Sequence, residues 1–318
     1  MSNWQPTATI DTLRLRAKLL ASVRQFFEMR DVLEVDVPVL SDTGVTDLHI
    51  DCLQTLVSGE VRYLQSSPEY FMKRLLASGS GPIYYLGRAF RDGENGCRHN
   101  PEFTMLEWYQ TGWDEHQLMR EVAALLSELG ISAQPQRLAY GELFKRVTGL
   151  NPHTVDLADL QEMASSLSGN DFSNEGRSTC LDLIFSLSVE PCLSDGMVFV
   201  YDYPACQAAL ARLDKDQQGH LIARRFEVFL NRVELANGYY ELVDPVEQQS
   251  RFDADLALRH AAGKPAAPVD KELLAAMEAG LPACSGVALG IDRLLMQLLG
   301  ATDIAAVMPF GAVGTSCG

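Results

Sequence analysis

The stretch Gly87–Trp108, GRAFRDGENGCRHNPEFTMLEW, joins two apolar segments through a polar one. The run Ile83–Phe90 and the segment that begins at Phe103 are typical of strands, whereas Asp92–Gly96 is rich in turn-forming residues. Arg91 stands at one end of this polar loop. Because guanidinium groups bind phosphate and cations stack on aromatic rings, a loop held at both ends suits a nucleotide. On this pattern alone, an ordinary hairpin with a solvated loop is the alternative.

The composition limits the class of protein. The chain has 318 residues, of which 47% are hydrophobic, enough for a large core. It has no apolar run of about eighteen residues and no basic segment followed by an apolar run at its start, so neither a transmembrane helix nor a signal peptide is expected. The seven cysteines are irregularly spaced, which fits a protein of the reducing cytoplasm. The same irregular spacing argues against a zinc site. A net charge of −16 argues against extensive tRNA binding.

The N-terminal part begins with a predicted helix. Apolar residues recur at helical spacing over Thr9–Arg30, after Pro6 as a start signal. The next segment, Asp31–Leu40, is predicted to be extended. On this evidence alone, the two form either a dimer element or a helix and edge strand on a monomer surface. Asp47–Val57 and Val61–Leu64 are then predicted to be two paired strands.

A short motif, Ser66-Ser67-Pro68-Glu69, follows these strands. Pro68 is well placed to begin a helix over Glu69–Ala77. A carboxylate at a helix start commonly interacts only with the helix dipole. The functional alternative is that Ser67 and Glu69 bind the ammonium group of an amino acid.

Helices and a strand are predicted in the segments after the central loop. Asp114–Leu129 is an amphipathic helix by its spacing, and Met197–Tyr203 is a strand. Residues 131–195 mix short helices and loops without a catalytic pattern, and are expected to be an insertion or an outer helical layer. Two further helices are predicted over Val246–Ala262 and Val269–Ala279.

Three glutamates recur every seven residues within Phe226–Phe252, at Glu227, Glu234 and Glu241. The aromatic and β-branched residues around them favour strands, with a turn at Asn231-Arg232. Such a turn brings Glu227 and Glu234 to one face. Two carboxylates beside a phosphate site suit Mg²⁺, which takes few protein oxygens and completes its shell with phosphate and water. Without a phosphate site, solvated strand glutamates are the commoner case.

The stretch Gly286–Arg293 has small residues at alternate positions, which let a strand backbone approach a ligand closely. Within it, Asp292 is placed to position Arg293. A helix is predicted from Leu294 to Leu299.

Three of these stretches, in this order, resemble the three motifs of class II aminoacyl-tRNA synthetases. Thr9–Leu40 resembles motif 1, the dimer element, the stretch Phe90–Tyr109 resembles motif 2, and Gly286–Arg293 resembles motif 3. The runs RHNPEF at Arg98–Phe103 and SPEYFMKRLL resemble the lysine-specific branch. The resemblance implies an α+β fold, a mainly antiparallel sheet flanked by helices. It also implies one catalytic domain over residues 1–318, no anticodon-binding domain, and a homodimer.

No oligonucleotide-binding barrel precedes motif 1, and the run Pro204–Ala211 differs from that of synthetases, so the chain looks like the family of elongation factor P–(R)-β-lysine ligases. This implies ATP-dependent activation of (R)-β-lysine as an adenylate and its transfer to a lysine side chain of elongation factor P, with ATP and Mg²⁺, in the cytoplasm. Neither a membrane nor tRNA is an expected partner, and the choice between lysine and β-lysine is open. A truncated lysyl-tRNA synthetase and a non-catalytic lysine-binding regulator are the alternatives. A non-catalytic regulator would be expected to have lost Arg91, Glu234 or Arg293. All three residues are present.

The resemblance implies a role for individual residues. Arg91 contacts the α-phosphate, Arg293 and Phe103 enclose the adenine, and both arginines act in catalysis. The other residues implied for ATP are Asp92, Gly93, Glu94, His99, Asn100, Glu234, Leu235 and Gly290. Glu227 and Glu234 are implied for Mg²⁺. Ser67, Pro68 and Glu69 are implied for the amino end of the substrate, Glu241 and Tyr109 for its ε-ammonium, and Asn237 and Ala288 for the same pocket.

Two positions depart from the pattern of the synthetases. Gly93 stands where the family motif has Glu, which puts the usual contact there in doubt and leaves Glu94 to replace it. Ala288 stands where lysyl-tRNA synthetases have Gly. One methyl group in a packed pocket is worth roughly 1–3 kcal/mol of discrimination.

Overall fold

The structure is a computed structural model that describes residues 4–265 and 267–311. Its α-helices are α1 (Ile10–Glu28), α2 (Glu69–Ala77), α3 (Glu115–Glu128), α4 (Tyr140–Thr148), α5 (Leu157–Ser168), α6 (Arg177–Ile184), α7 (Pro245–Ala261), α8 (Lys271–Gly280) and α9 (Ile291–Leu299). Its strands are β1 (Leu33–Glu34), β2 (Leu40–Ser41), β3 (Gln54–Val57), β4 (Glu60–Leu64), β5 (Ile83–Phe90), β6 (Glu102–Thr111), β7 (Gln136–Ala139), β8 (Met197–Pro204), β9 (Leu213–Lys215), β10 (Leu221–Leu230), β11 (Val233–Tyr240) and β12 (Cys284–Gly290). Within the described residues, every helix is too short or too polar to cross a membrane.

The chain forms two compact units. Unit 1 takes in the chain up to Trp113, the segment Arg120–Ile131 and the chain from Val243 onward. Unit 2 takes in Asp114–Met119 and Ser132–Leu242.

Unit 1 contains strands in the order β1-β5-β6-β12, in which the β1–β5 pair is parallel and the others are antiparallel. A separate small sheet has the order β2-β4-β3. Helix α1 packs through Phe27, whose ring stacks on Tyr84 of β5 at 4.5 Å and meets the edge of Trp108 of β6 at 5.4 Å. Aromatic pairs of this kind hold the helix over the two strands that carry the central loop.

Unit 2 contains strands in the order β11-β10-β8-β7, with β9 paired to β10. The β7–β8 pair is parallel, and the other pairs within this unit are antiparallel. Buried residues of α4 and α6, such as Tyr140, Phe144 and Leu181, form one core with Val198 of β8 and Phe229 of β10. The α+β class with a mainly antiparallel arrangement of strands is therefore confirmed.

Several predicted boundaries are wrong for identifiable reasons. Asp31–Leu40 is largely irregular, since Pro38 has no N–H to donate to a strand partner. Most of Asp47–Leu53 is likewise not a strand, because side chains of α7 and the loop after it occupy its carbonyl groups. The last helix begins at Ile291, three residues before the predicted start. Strand β7 was not predicted at all.

Candidate active site

The loop between β5 and β6 is held at its base and by a neighbouring segment. The strands pair up to Phe90 and Glu102, and the Arg91 N–H then donates to Pro101 O at 2.9 Å. The Asp92 N–H donates to Asp51 O at 2.7 Å, which ties the loop to the segment before β3. These contacts confirm two strands joined by a loop and fix the backbone that carries Arg91.

Arg91 lies beside an aromatic ring and a carboxylate. Its guanidinium lies 5.2 Å from the centre of the Phe103 ring, and its Nη1 is 3.3 Å from Glu94 Oε1. Its buried Nε has no hydrogen-bond partner among the described residues. A buried cationic donor of this kind is costly to leave unsatisfied, so the group is suited to an anionic ligand.

Gly93 explains one departure from the family pattern. Its φ of +74° lies in the left-handed region, which glycine adopts without the steric cost of a side chain. The turn at this position therefore favours glycine over glutamate. The neighbouring Glu94 places its carboxylate next to Arg91, within 3.3 Å.

Arg293 is oriented by the far end of the same loop. Its Nε donates to Arg98 O at 3.3 Å, and its Nη2 contacts Nε2 of His99. The buried Asn100 donates from Nδ2 to Glu102 O at 2.6 Å. A Cβ built at Gly290 would meet Arg293 only at ordinary contact distances of 3.8–3.9 Å, so packing within the protein does not require glycine there. Close approach of a ligand to the backbone is another reason for glycine at position 290.

Two residues assigned to the substrate meet on a carboxylate that the sequence did not point to. Glu107 is 2% exposed, and its Oε2 accepts from Ser67 Oγ at 2.7 Å while its Oε1 accepts from Tyr109 OH at 2.7 Å. Glu107 and Tyr109 lie two residues apart on β6, so they share a face. That spacing was a signal by which Glu107 could have been found. Ser67 and Tyr109 were assigned to opposite ends of the substrate, but both lie at this carboxylate.

Glu69 at the start of α2 is paired with a buried cation. Lys73 Nζ lies 2.6 Å from Glu69 Oε1, and the lysine side chain is 1% exposed. The backbone N–H of Glu69 donates to Ser67 Oγ at 3.1 Å. Glu69 is therefore linked to the hydroxyl that donates to Glu107. The sequence did not single out Lys73, although its i, i+4 spacing from Glu69 is a recognised helix pairing.

Ala288 lies next to Glu107. The two residues are cross-strand partners in the β6–β12 pair, so their side chains lie on the same face of the sheet. The methyl group that distinguishes this chain at position 288 is therefore close to the buried carboxylate.

In unit 2, a β-bulge brings the predicted metal ligands to one face. Glu227 pairs with Asn237 and Phe229 pairs with Glu234, with a register shift between them. Glu227 and Phe229 are two residues apart on β10, so their partners Asn237 and Glu234 share that face despite lying three residues apart. The hairpin turn is at Asn231-Arg232, as predicted, and both residues have positive φ.

The electrostatics around Glu227 fit a bound cation. Burial raises the pKa of Glu227, the Arg225 guanidinium opposes this, and the Glu234 carboxylate adds to it. The buried Asn237 Oδ1 has no hydrogen-bond partner in the described part of the chain. A divalent ion would neutralise the two carboxylates and supply a partner for such an oxygen. Leu235 lies within the bulged segment, and Glu241, 1% exposed, follows β11 and pairs by backbone with Ala211.

Comparison with known proteins agrees with this geometry. Residues 4–314 match the family described as tRNA synthetases class II (D, K and N). A relative from Vibrio parahaemolyticus is 48% identical, and one from Vibrio vulnificus is 46% identical, each over 97% of this chain and 98% of its own length. A third, from Edwardsiella ictaluri, is 46% identical over 98% of both chains. Each is named elongation factor P–(R)-β-lysine ligase. The chain therefore belongs to the class II tRNA synthetase family of the D, K and N type.

Proposed function

We propose that this protein is a ligase that uses ATP to activate (R)-β-lysine and transfers it to a lysine side chain of elongation factor P. The observation that carries the proposal is the similarity, along 97% of the chain, to relatives named for that activity. The buried Glu107 carboxylate supports it, because a substrate with an ammonium group suits such a site.

The reaction has two steps. A carboxylate oxygen of the amino acid attacks the α-phosphorus of ATP, and the bond to pyrophosphate breaks. The acceptor amine then attacks the carbonyl carbon of the adenylate, loses a proton and displaces AMP. Such a site acts mainly by positioning and by stabilising charge. Arg91 and Arg293 are the proposed catalytic residues, Arg91 on the α-phosphate and Arg293 with Phe103 on the adenine.

The remaining residues keep the roles that the resemblance implies, as proposals. Asp92, Gly93, Glu94, His99, Asn100, Leu235 and Gly290 are proposed for ATP. Glu227 and Glu234 are proposed for Mg²⁺, whose charge would offset that of the phosphates. Ser67, Pro68, Glu69, Tyr109, Asn237, Glu241 and Ala288 are proposed for the amino acid, and the structure adds Glu107.

The wider assignments are also part of the proposal. The protein acts in the cytoplasm, without a membrane, as a single catalytic domain in which about residues 131–195 are a helical insertion or an outer layer. Its acceptor is a protein and not tRNA, consistent with the net charge of −16.

One assay tests the function directly. Radiolabelled lysine and (R)-β-lysine are each supplied with ATP, and either tRNA or purified elongation factor P is offered as acceptor. We expect label on elongation factor P, with (R)-β-lysine preferred. Efficient labelling of tRNA at physiological salt, with none on elongation factor P, would replace this function by that of a truncated lysyl-tRNA synthetase.

Assembly is a second expected result. Unit 1 exposes apolar side chains at Met29, Leu33 and Leu40, which are 61%, 56% and 44% exposed and lie in the predicted motif 1. A two-fold interface buries the same surface on both copies. Light scattering at micromolar concentration should give twice the 35.0 kDa of the chain. Leu33→Glu should lower this mass, whereas Val246→Glu, at an apolar residue exposed on α7, should not. A wild-type mass of 35.0 kDa rules out the dimer.

Ala288→Gly should relax the choice between lysine isomers. The methyl group beside Glu107 opposes one placement of the substrate amino group and leaves the other free, a discrimination by exclusion. We expect the kcat/KM for α-lysine to rise about tenfold, which is about 1.4 kcal/mol, and that for β-lysine to change less. Ala275→Gly, exposed on α8, is the control for glycine's cost of ~0.5–1 kcal/mol in stability. An unchanged ratio in a folded variant places the selectivity elsewhere, for example at Ser67 and Glu69.

A further inference from the structure

A buried ion pair joins helix α1 to helix α9. Arg16 of α1 places Nη1 2.6 Å from Oδ1 of Asp292 in the first turn of α9. The side chains are 8% and 2% exposed. Removing two charges from water costs as much as their attraction returns, and well-packed apolar residues often stabilise a core equally well. A contribution to the free energy of unfolding alone is therefore a poor explanation for this ion pair.

Both partners also hold strand β6 at Thr104. Arg16 Nη2 donates to Thr104 Oγ1 at 2.6 Å, and the Thr104 N–H donates to Asp292 Oδ2 at 2.6 Å. The last β6–β12 pair is Met105 with Gly290, so Asp292 takes the N–H of the next β6 residue after the strand pairing has ended. The three residues thus link α1, β6 and α9, and Thr104 Oγ1 also accepts from Arg88 Nη1 of β5 at 3.2 Å.

Each residue that Arg16 holds is the chain neighbour of a residue proposed to enclose adenine. Thr104 follows Phe103, and Asp292 precedes Arg293. The distance between Phe103 and Arg293 therefore depends on the contact between Thr104 and Asp292. Arg16 stabilises that contact because it donates to both residues. We infer that Arg16 is a positioning residue that sets the width of the adenine site, an inference that rests on the proposed function of Phe103 and Arg293.

The arrangement makes a specific demand on the arginine. Its two terminal nitrogens, held in the fixed geometry of a guanidinium, donate to two different acceptors, a carboxylate and a hydroxyl. A lysine ammonium is a single point charge on a flexible stem, so it can keep the ion pair with Asp292 without holding Thr104 in the same geometry. Arg16→Lys should therefore restore only part of what Arg16→Gln removes.

The test separates nucleotide binding from amino-acid binding. KM values for ATP and for the lysine isomer are measured by ATP–pyrophosphate exchange, with the Tm of each variant. We expect Arg16→Gln to raise the KM for ATP about tenfold, the scale of a small misplacement of binding groups, and to change the KM for the amino acid less than twofold. Arg14→Gln is the control, because Arg14 lies on the same helix in an exposed pair with Asp11 and should change neither.

Two further measurements keep the inference falsifiable. Should Arg16→Gln fail to fold, the double variant Arg16→Gln/Asp292→Asn, which leaves no unpaired charge from this pair, takes its place with the same expectation. Arg16→Lys is then expected to give a smaller rise in the KM for ATP. The Kd for ATP, measured by calorimetry without amino acid, tests the inference even if the wild type activates no lysine isomer, an outcome that would refute only the proposed function. An unchanged KM and Kd for ATP in a folded variant, or equal increases in both KM values, would overturn it.

Discussion

Arg91→Ala is expected to slow ATP–pyrophosphate exchange about 10²–10³-fold, the usual loss when one preorganised charge donor is removed. The loop that carries Arg91 is hydrogen-bonded at its base and to Asp51, so the guanidinium is held in place before ATP binds. Its buried Nε lacks a partner among the described residues, which suits a phosphate oxygen. Because negative charge on the α-phosphate grows during the attack, the loss should fall mainly on kcat.

The control for this variant is another arginine on a hairpin. Arg62 of β4 forms ion pairs with Asp42 and Glu60 near the surface, and pairs of this kind contribute little. Arg62→Ala should therefore exchange at the wild-type rate. Exchange within a few-fold of wild type in Arg91→Ala, with a normal Tm, would remove Arg91 from the proposed phosphate site.

Local signals allowed the fold to be predicted where a segment's conformation depends on its own residues. Helix α2 has the predicted bounds because Pro68 starts it, and β5 has the predicted bounds because its apolar run ends at the polar loop. The turn at Asn231-Arg232 follows from the need for positive φ at both positions of a two-residue hairpin. In each case the decisive groups lie within a few residues of one another.

The sequence was uninformative where the partner is distant. The segment Asp47–Leu53 contains residues with strand propensity, yet Arg259 and Lys264 bind its carbonyl groups from more than 200 positions away. The three-residue spacing of Glu234 and Asn237 gives no hint of a shared face, because a bulge creates it. Arg16 stands on a predicted amphipathic helix, where an arginine indicates solvent until its buried partner Asp292 is known.

Glu107 shows the same limit within the site. It lies in an apolar run of β6, and Ser67 is 40 positions away. Sequence identified both hydroxyl donors, Ser67 and Tyr109, but not the carboxylate on which they converge. Glu107 was missed because its contact with Ser67 is made only in the folded chain, and its two-residue spacing from Tyr109 on β6 was the one local signal.

Glu107→Gln is expected to raise the KM for the amino acid by about 10²-fold, since loss of one partner from a buried, hydrogen-bonded charge pair commonly costs about 2–5 kcal/mol. The two hydroxyl groups that donate to Glu107 preorganise its carboxylate for an ammonium group. Glutamine keeps the shape but loses the charge, and its NH₂ cannot accept from the hydroxyl that faces it. The KM for ATP should change only a few-fold, because Arg91, Phe103 and Arg293 are untouched.

Glu102→Gln is the matched control, because Glu102 starts the same strand but is exposed beside Arg88. It should leave both KM values near wild type. The loss of a hydrogen bond at Glu107 should also lower stability by about 1–3 kcal/mol, so exchange must be measured well below the Tm. A folded Glu107→Gln protein with a normal KM for lysine and β-lysine would move the ammonium site away from β6. Glu69, already paired with the buried Lys73, and Glu241 of unit 2 would then be the carboxylates to test.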